Sequence, residues 1–435
     1  MKALINARLT DFSTYLDDGY LLYDDHIRKI GPMSEYPLGD HQVIDCHHHF
    51  VLPGLISGHT HLYSAFSRGL NVFFRPNNFQ EILDQLWWKL DRHLDLERSY
   101  YSALTFGAEF LKNGVTTVID HHAAKKEICG SLNSIKKALV DKLGMRAILA
   151  FETSDRFPLE DCIEENLRFY RENSSIQVSG LFGMHASMSL SDASLERIKE
   201  AIGGIPIHVH VAESEMDQAD AMKKYHQTVV KRFARHGLIT PDSLLVHCVH
   251  VDDEELAIIK ESKAVVAVNL ISNQNNGVGL PDISKMINMG IPVILGNDGF
   301  FPSMTPEYLA LLPAMHHRMG SPKEFFLTDW VKIIQETARY ASRRLKITLG
   351  SFDPGSAADF QIIPYQPMTP IDSTNLFSHL YFGLFPQMRP ESVFIGGKKV
   401  VDHGMVLGLD PKDILSSQAV AHALWKEIEE EGEMA

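Results

Sequence analysis

Residues 205–213 read Ile-Pro-Ile-His-Val-His-Val-Ala-Glu. The apolar residues make this a short buried strand. Its end carries His208, His210 and Glu213. An amphipathic stretch, Ala193–Ile202, precedes it, and another, Met216–His236, follows. The same unit recurs along the chain. Strand-like runs fall at Val51–Ser57, Thr116–Asp120, Arg146–Phe151, Gln177–Gly183, Ile205–Val211, Ser243–Cys248, Ala264–Asn269 and Pro292–Asn297. Helical periodicity lies between them, at Tyr100–Asn113, Leu132–Leu143 and Asp253–Glu261. Gly114, Gly144, Gly237 and Gly290 stand just before the next strand, where a helix C-cap glycine belongs. Eight strands alternating with helices is the count of an α/β fold of the (β/α)8 TIM-type barrel class.

The flanks read differently. Residues 1–50 and 349–408 carry short β-like pieces with turn signals such as Asp17-Asp18-Gly19 and Asp353-Pro354-Gly355. Two β-rich ends suggest one small β-sandwich built from both termini, in two parts (1–50 and 349–435). Residues 51–348 form the barrel between them. Residues 411–432 look like a final helix, with an acidic stretch near Glu427–Glu433 expected to be solvated. The segment Val72–Asp95 is long for a loop after a barrel strand. Active-site loops of such barrels lie at the C-terminal strand ends, so this one is expected to cover the site.

Composition narrows the function classes. Of 435 residues, 45% are hydrophobic and 22% charged, an ordinary soluble balance. Lys plus Arg is 41 against 55 Asp plus Glu, a net charge of −14, which disfavours a phosphate backbone as partner. No apolar run is long enough to span a membrane. Cys46, Cys129, Cys162 and Cys248 form no C-x-x-C pair. Sparse cysteines and an N-terminus without an apolar leader suit the cytoplasm. The unusual count is 22 histidines, the commonest metal ligands.

Several of them fall where barrel chemistry occurs. His59-Thr60-His61 follows the first strand, and residues two apart in an extended segment share a side. His210 lies nearer the end of its strand than His208, which reads as an interior histidine. Strand six ends in His247-Cys248-Val249-His250, with His247 the better placed of its two histidines. Strand eight ends in Gly296-Asn297-Asp298-Gly299. An aspartate after a buried apolar run is costly unless paired or ligated; the bland alternative for Asp298 is an Asx-turn. His59, His61, His210 and Asp298 thus make a ligand set, suited to catalytic zinc with ferrous iron as the alternative. Glu213 and His247 read as acid–base groups beside it. His121 and His122 end strand two, so either is a candidate substrate contact. Trp87 and Trp88, in the long loop, read as packing residues.

At these residues the sequence resembles the amidohydrolase superfamily, on 53–61, His210-Val211-Ala212-Glu213, Leu295-Gly296-Asn297-Asp298-Gly299 and the segment 350–359. More narrowly it is similar to the SsnA group of aminohydrolases, on 86–92, 118–123 and Ser272-Asn273-Gln274-Asn275-Asn276. The resemblance covers nearly the whole chain. It implies metal ligands at His59, His61, His210 and Asp298, and proton transfer by Glu213 and His247. It implies a substrate contact at His185. Binuclear relatives carry a modified lysine on strand four; Gln177–Ser187 holds no lysine, so one metal is implied. One departure stands out: a His-Asn pair common after strand seven is Val268-Asn269 here. A homodimer is also implied.

The resulting expectation is hydrolytic deamination of an amino-substituted heterocycle, a purine, pterin or related ring, with release of ammonia. The alternatives are removal of halide or alkylamine from such a ring, or a non-catalytic scaffold of the dihydropyrimidinase-like type.

Overall fold

A computed structural model describes residues 1–37 and 39–434. The parallel strands of the central region lie in two sheets. One holds Leu55–Thr60, Val115–His122, Arg146–Phe151 and Val178–Gly180. The other holds Phe182–Ala186, Ile207–Val211, Leu244–His247, Val265–Val268 and Val293–Leu295. Strand four is therefore two pieces. Leu181 N still donates to Leu149 O of strand three (3.1 Å), whereas Phe182 N donates to Pro206 O (3.0 Å). The chain changes partner between these two residues. Main-chain bonds cross both seams, from His185 N to Thr153 O (3.0 Å) and from Asn297 N to His59 O (2.9 Å). Ile56, Ile119, Ile148, Val246, Val265 and Ile294 fill one buried cluster between the strands, the packed interior such an arrangement requires.

The first strand differs from expectation. Phe50–Pro53 belongs to the terminal sheet, and the central strand begins at Leu55. Gly54 is the crossover. Its amide bonds to Asp359 O, while the amide of Leu55 bonds to Gly114 O. A Cβ at Gly54 would lie 2.2 Å from Thr116 Oγ1, so only glycine fits there. The expected C-cap glycines, 114, 144, 237 and 290, all take positive φ.

Where a two-part sandwich is expected, the two ends of the chain contribute to one nine-stranded sheet. Strand Lys2–Thr10 makes this possible. Its register shifts near Ala7, and it pairs Gln42–Asp45 along its first half and Phe50–Pro53 along its second. Arg146 ties this sheet to the central region through Asp359 (2.6 and 2.9 Å), both side chains buried.

The acidic end of the chain is not a free tail. Helix Pro411–Met434 docks through buried Leu424 and Ile428. Glu427 pairs with Arg98 and with Lys126, and Glu431 with Arg92. These basic partners come from a distant part of the sequence, which a local charge count misses. Glu433 lies outside the residues whose side chains are described.

Candidate active site

The strand ends gather His59, His61, His210 and Asp298 into one cluster. His59 Nε2 and His61 Nε2 lie 3.1 and 3.2 Å from Asp298 Oδ1. His61 Nε2 lies 3.2 Å from His210 Nε2. The other ring nitrogens decide what these atoms are. His61 Nδ1 donates to the carbonyl of His121 (2.6 Å), and His210 Nδ1 to that of His185 (2.8 Å). A carbonyl only accepts, so the proton sits on Nδ1 and each Nε2 presents a lone pair. Two lone pairs and a carboxylate facing one another repel unless a cation lies between them. Ligand atoms about 2.0–2.1 Å from a tetrahedral zinc sit about 3.3 Å apart, close to the observed spacing. The donor set fits one divalent metal. Burial works against charge at His61, but the Asp298 carboxylate outweighs it and lifts that imidazole above its ordinary value, so the centre attracts positive charge.

Backbone strain aims these groups. Ala212, His247 and Asp298 take positive φ at three strand ends. Such conformations cost about 1–3 kcal/mol each and concentrate at functional sites.

Glu213 and His247 stand beside the cluster, with His247 Nε2 3.4 Å from Glu213 Oε2 and 4.0 Å from Asp298 Oδ2. Burial, aided by the nearby charge of Asp298, raises the Glu213 carboxyl well above its ordinary range. Burial depresses His247. Both shifts favour the neutral forms over an ion pair. Asn273 reinforces this, since its Oδ1 accepts from His247 Nδ1 at 2.8 Å. Asn276 Nδ2 reaches Glu213 Oε1 (3.4 Å), and Ser272 Oγ donates to Asp298 Oδ2 (2.5 Å). Ser272, Asn273 and Asn276 lie in a stretch that sequence reasoning used only for its resemblance; the polar side chains at helical spacing were the available signal.

A cavity of about 260 Å³ opens onto this cluster. His185 lines it, held by Ser189 Oγ at 2.7 Å, and burial lowers its pKa to about 3. His121 and His122 do not line it, which corrects their expected substrate role. Alternation along the strand sends His121 inward beneath the ligands, with Nε2 on Met184 O, and His122 outward to Ser99 Oγ (3.0 Å). His208 is an interior histidine as expected, and its Nε2 lies 2.8 Å from His59 Nδ1. His250 bonds to Val278 O instead of facing the cavity. Val268 is packed in the core.

The loop after strand one forms a cover of short helices. Phe79, Leu83, Trp87 and Trp88 face the cavity, so the two tryptophans are wall residues as well as packing. Tyr63, Asp91 and Glu152 also line it, and none was anticipated.

The Amidohydrolase family pattern matches residues 50–400. The chain belongs to the amidohydrolase family. It is 27% identical over 419 residues to the 5-methylthioadenosine/S-adenosylhomocysteine deaminase of Syntrophomonas wolfei, covering 93% of this chain and 94% of that protein. It is 24% identical to the 5′-deoxyadenosine deaminase of Methanopyrus kandleri, covering 88% and 87%. Among solved structures it is similar to an adenosine deaminase from Xanthomonas campestris with bound zinc (TM-score 0.83, 18% identity, 98% of each chain). It is also similar to the atrazine chlorohydrolase TrzN of Arthrobacter aurescens complexed with zinc (TM-score 0.80, 20% identity, 97% and 100%). These likenesses show the fold, a TIM-type barrel with an extra domain. This amidohydrolase has no helix, among the described residues, long and apolar enough to cross a membrane.

Proposed function

We propose that this amidohydrolase removes the amino group of a purine-like ring by hydrolysis, releasing ammonia. The observation that carries the reading is the placement of Glu213 and His247, 3.4 Å apart, against the His59, His61, His210 and Asp298 cluster. The deaminase names of its relatives support the same chemistry. The two sheets with bonds across both seams read as one closed eight-stranded barrel, with the expected second domain (1–50 and 349–435) extended through Pro53 by the strand Phe50–Pro53. Four free cysteines suit a cytoplasmic enzyme.

The four ligands would hold one divalent metal, zinc on this donor set, which would lower the pKa of a water toward about 7. Asp298 Oδ2 and His247 Nε2, 4.0 Å apart, are spaced to accept hydrogen bonds from one shared water. Asp298 takes its proton. Glu213, kept protonated by burial, donates to the ring nitrogen next to the carbon under attack. Hydroxide, the water less that proton, bonds to the carbon, and the C=N electron pair moves onto the protonated nitrogen. The proton carried by Asp298 passes to the amino group, the C–N bond breaks with its electron pair on ammonia, and the remaining O–H proton returns to Glu213 as the carbonyl forms. His185 presents its remaining nitrogen to the ring, and the cover excludes water.

Two measurements test this. Elemental analysis of protein purified without chelator is expected to find about one zinc or iron per chain. A screen of aminated purines and pterins is expected to find ammonia release. A chain that holds no metal even after reconstitution would overturn the mechanism.

A further inference from the structure

The cavity lining contains two carboxyls that deamination does not use, Asp91 and Glu152. Asp91 comes from the last turn of the cover and Glu152 from the end of strand three. Arg156 stands behind both. Its NH1 donates to Glu152 Oε1 (2.9 Å) and its NH2 to both oxygens of Asp91 (2.8 and 2.7 Å). Its guanidinium also lies over the rings of Trp88 (4.3 Å) and Phe157 (4.9 Å). Arg156 is thus fully engaged. No Lys or Arg among the described residues lines the cavity, Arg156 included, whereas Glu213, Asp217 and Asp298 do. Asp217 is satisfied by the amides of Ala212 and Met188. Glu152 is not: Oε2 takes no hydrogen bond from the described residues, although the side chain is only 4% exposed.

We propose that Glu152 selects the part of the substrate that projects from the reacting ring. Its Oε2 accepts from neutral N–H or O–H donors, and the saturated wall of Asp91, Glu152 and Arg156 turns away rings bearing a carboxylate or phosphate. The inference rests on the reading of the site as a deaminase of aminated rings and names its substrate class. The physical reason is asymmetric. A donor entering this wall pairs with an acceptor that opens on the cavity and takes no hydrogen bond from the described residues. An anion entering it meets carboxyls and no free cation, and burying an unpaired charge is costly. A site that rewards one ligand and penalises its charged twin is selective on both counts.

The test uses a matched pair, adenosine and adenosine 5′-monophosphate. Ammonia release is followed on zinc-loaded enzyme, and binding by calorimetry on Glu213→Gln, which holds ligand without turnover. The nucleoside is expected to be favoured over its phosphate by at least about tenfold in kcat/KM and in Kd. Glu152→Gln, which keeps the bond to Arg156, is expected to raise the nucleoside KM about tenfold with kcat little changed, and to narrow the preference. Glu152→Asp keeps the charge but withdraws the oxygen, so it loses the nucleoside contact while still refusing the phosphate. Thermal denaturation of each variant shows that it is folded. Ammonia release from both ligands alike, or a KM and preference unchanged in Glu152→Gln, overturns this inference and leaves the deaminase reading standing. Neither ammonia nor binding from either ligand counts against both.

Discussion

Glu213 and Glu307 show how one physical effect serves two ends. Burial raises both carboxyls, Glu213 well above its ordinary value and Glu307 to about 8. In the proposed mechanism, the proton retained at Glu213 is the one given to the ring. Glu213→Gln is expected to lower kcat by about 10²–10⁴-fold with metal content unchanged, read by steady-state kinetics beside elemental analysis. Near wild-type turnover would remove Glu213 from that role. Glu307 is structural: Oε2 accepts the amides of Leu270 and Ile271, and Oε1 is buried without a partner. Its folded pKa exceeds its unfolded value, so the native state binds more protons. The stabilisation is complete below about pH 4.5 and is lost as pH rises through about 8. Glu307→Gln removes that titration. Melting temperatures measured across pH 5.5 to 9 with saturating zinc are expected to fall more steeply for wild type than for the variant. Parallel curves would refute the assignment.

Between elements, the decisive link is the one that fastens the cover. Asp91, on the short helix Trp88–Asp91, is held by Arg156 from the loop after strand three. The cover is otherwise one short helical stretch over 79–91, π-helical at Leu83–Trp87. Arg156→Ala leaves two buried carboxyls without a counter-charge. It is expected to raise KM more than it lowers kcat, and to speed proteolysis within 72–95, read by limited digestion. Cleavage at the wild-type rate would show that the cover is held by its apolar contacts alone. The length of this insertion was legible in the sequence, and so was its place at the mouth. Its fastening was not, because Asp91 and Arg156 are 65 residues apart in the chain, and the resemblance on 86–92 names no partner for Asp91. His121 and His122 failed for a related reason. Adjacent residues on a strand point opposite ways, and which way is set by register with the neighbouring strands.

For the molecule as a whole, metal and fold are coupled. The four ligands come from the ends of three strands, and an unfolded chain cannot bring them together. Zinc at a hundred times its Kd is expected to stabilise by about 2.7 kcal/mol. Chelation should therefore lower the melting temperature, and added zinc should restore it; equal melting with and without metal would argue against the site. The C-terminal helix is a second whole-molecule link, with Glu427 on Arg98 and Lys126 and Trp425 Nε1 on Phe66 O (2.7 Å). The sequence by itself determined the strand–helix alternation and the two β-rich ends, and it singled out His59, His61, His210 and Asp298, which the strand ends gather. Apolar periodicity and residues at strand ends are local signals that survive without coordinates. Only the tertiary structure decided the partner switch at Leu181, the crossover at Gly54, the tautomers of His61, His210 and His247, and the engaged Arg156 behind Glu152. Each depends on a hydrogen bond or close approach between residues distant in the chain, and such pairings exist only once the strands have taken their register.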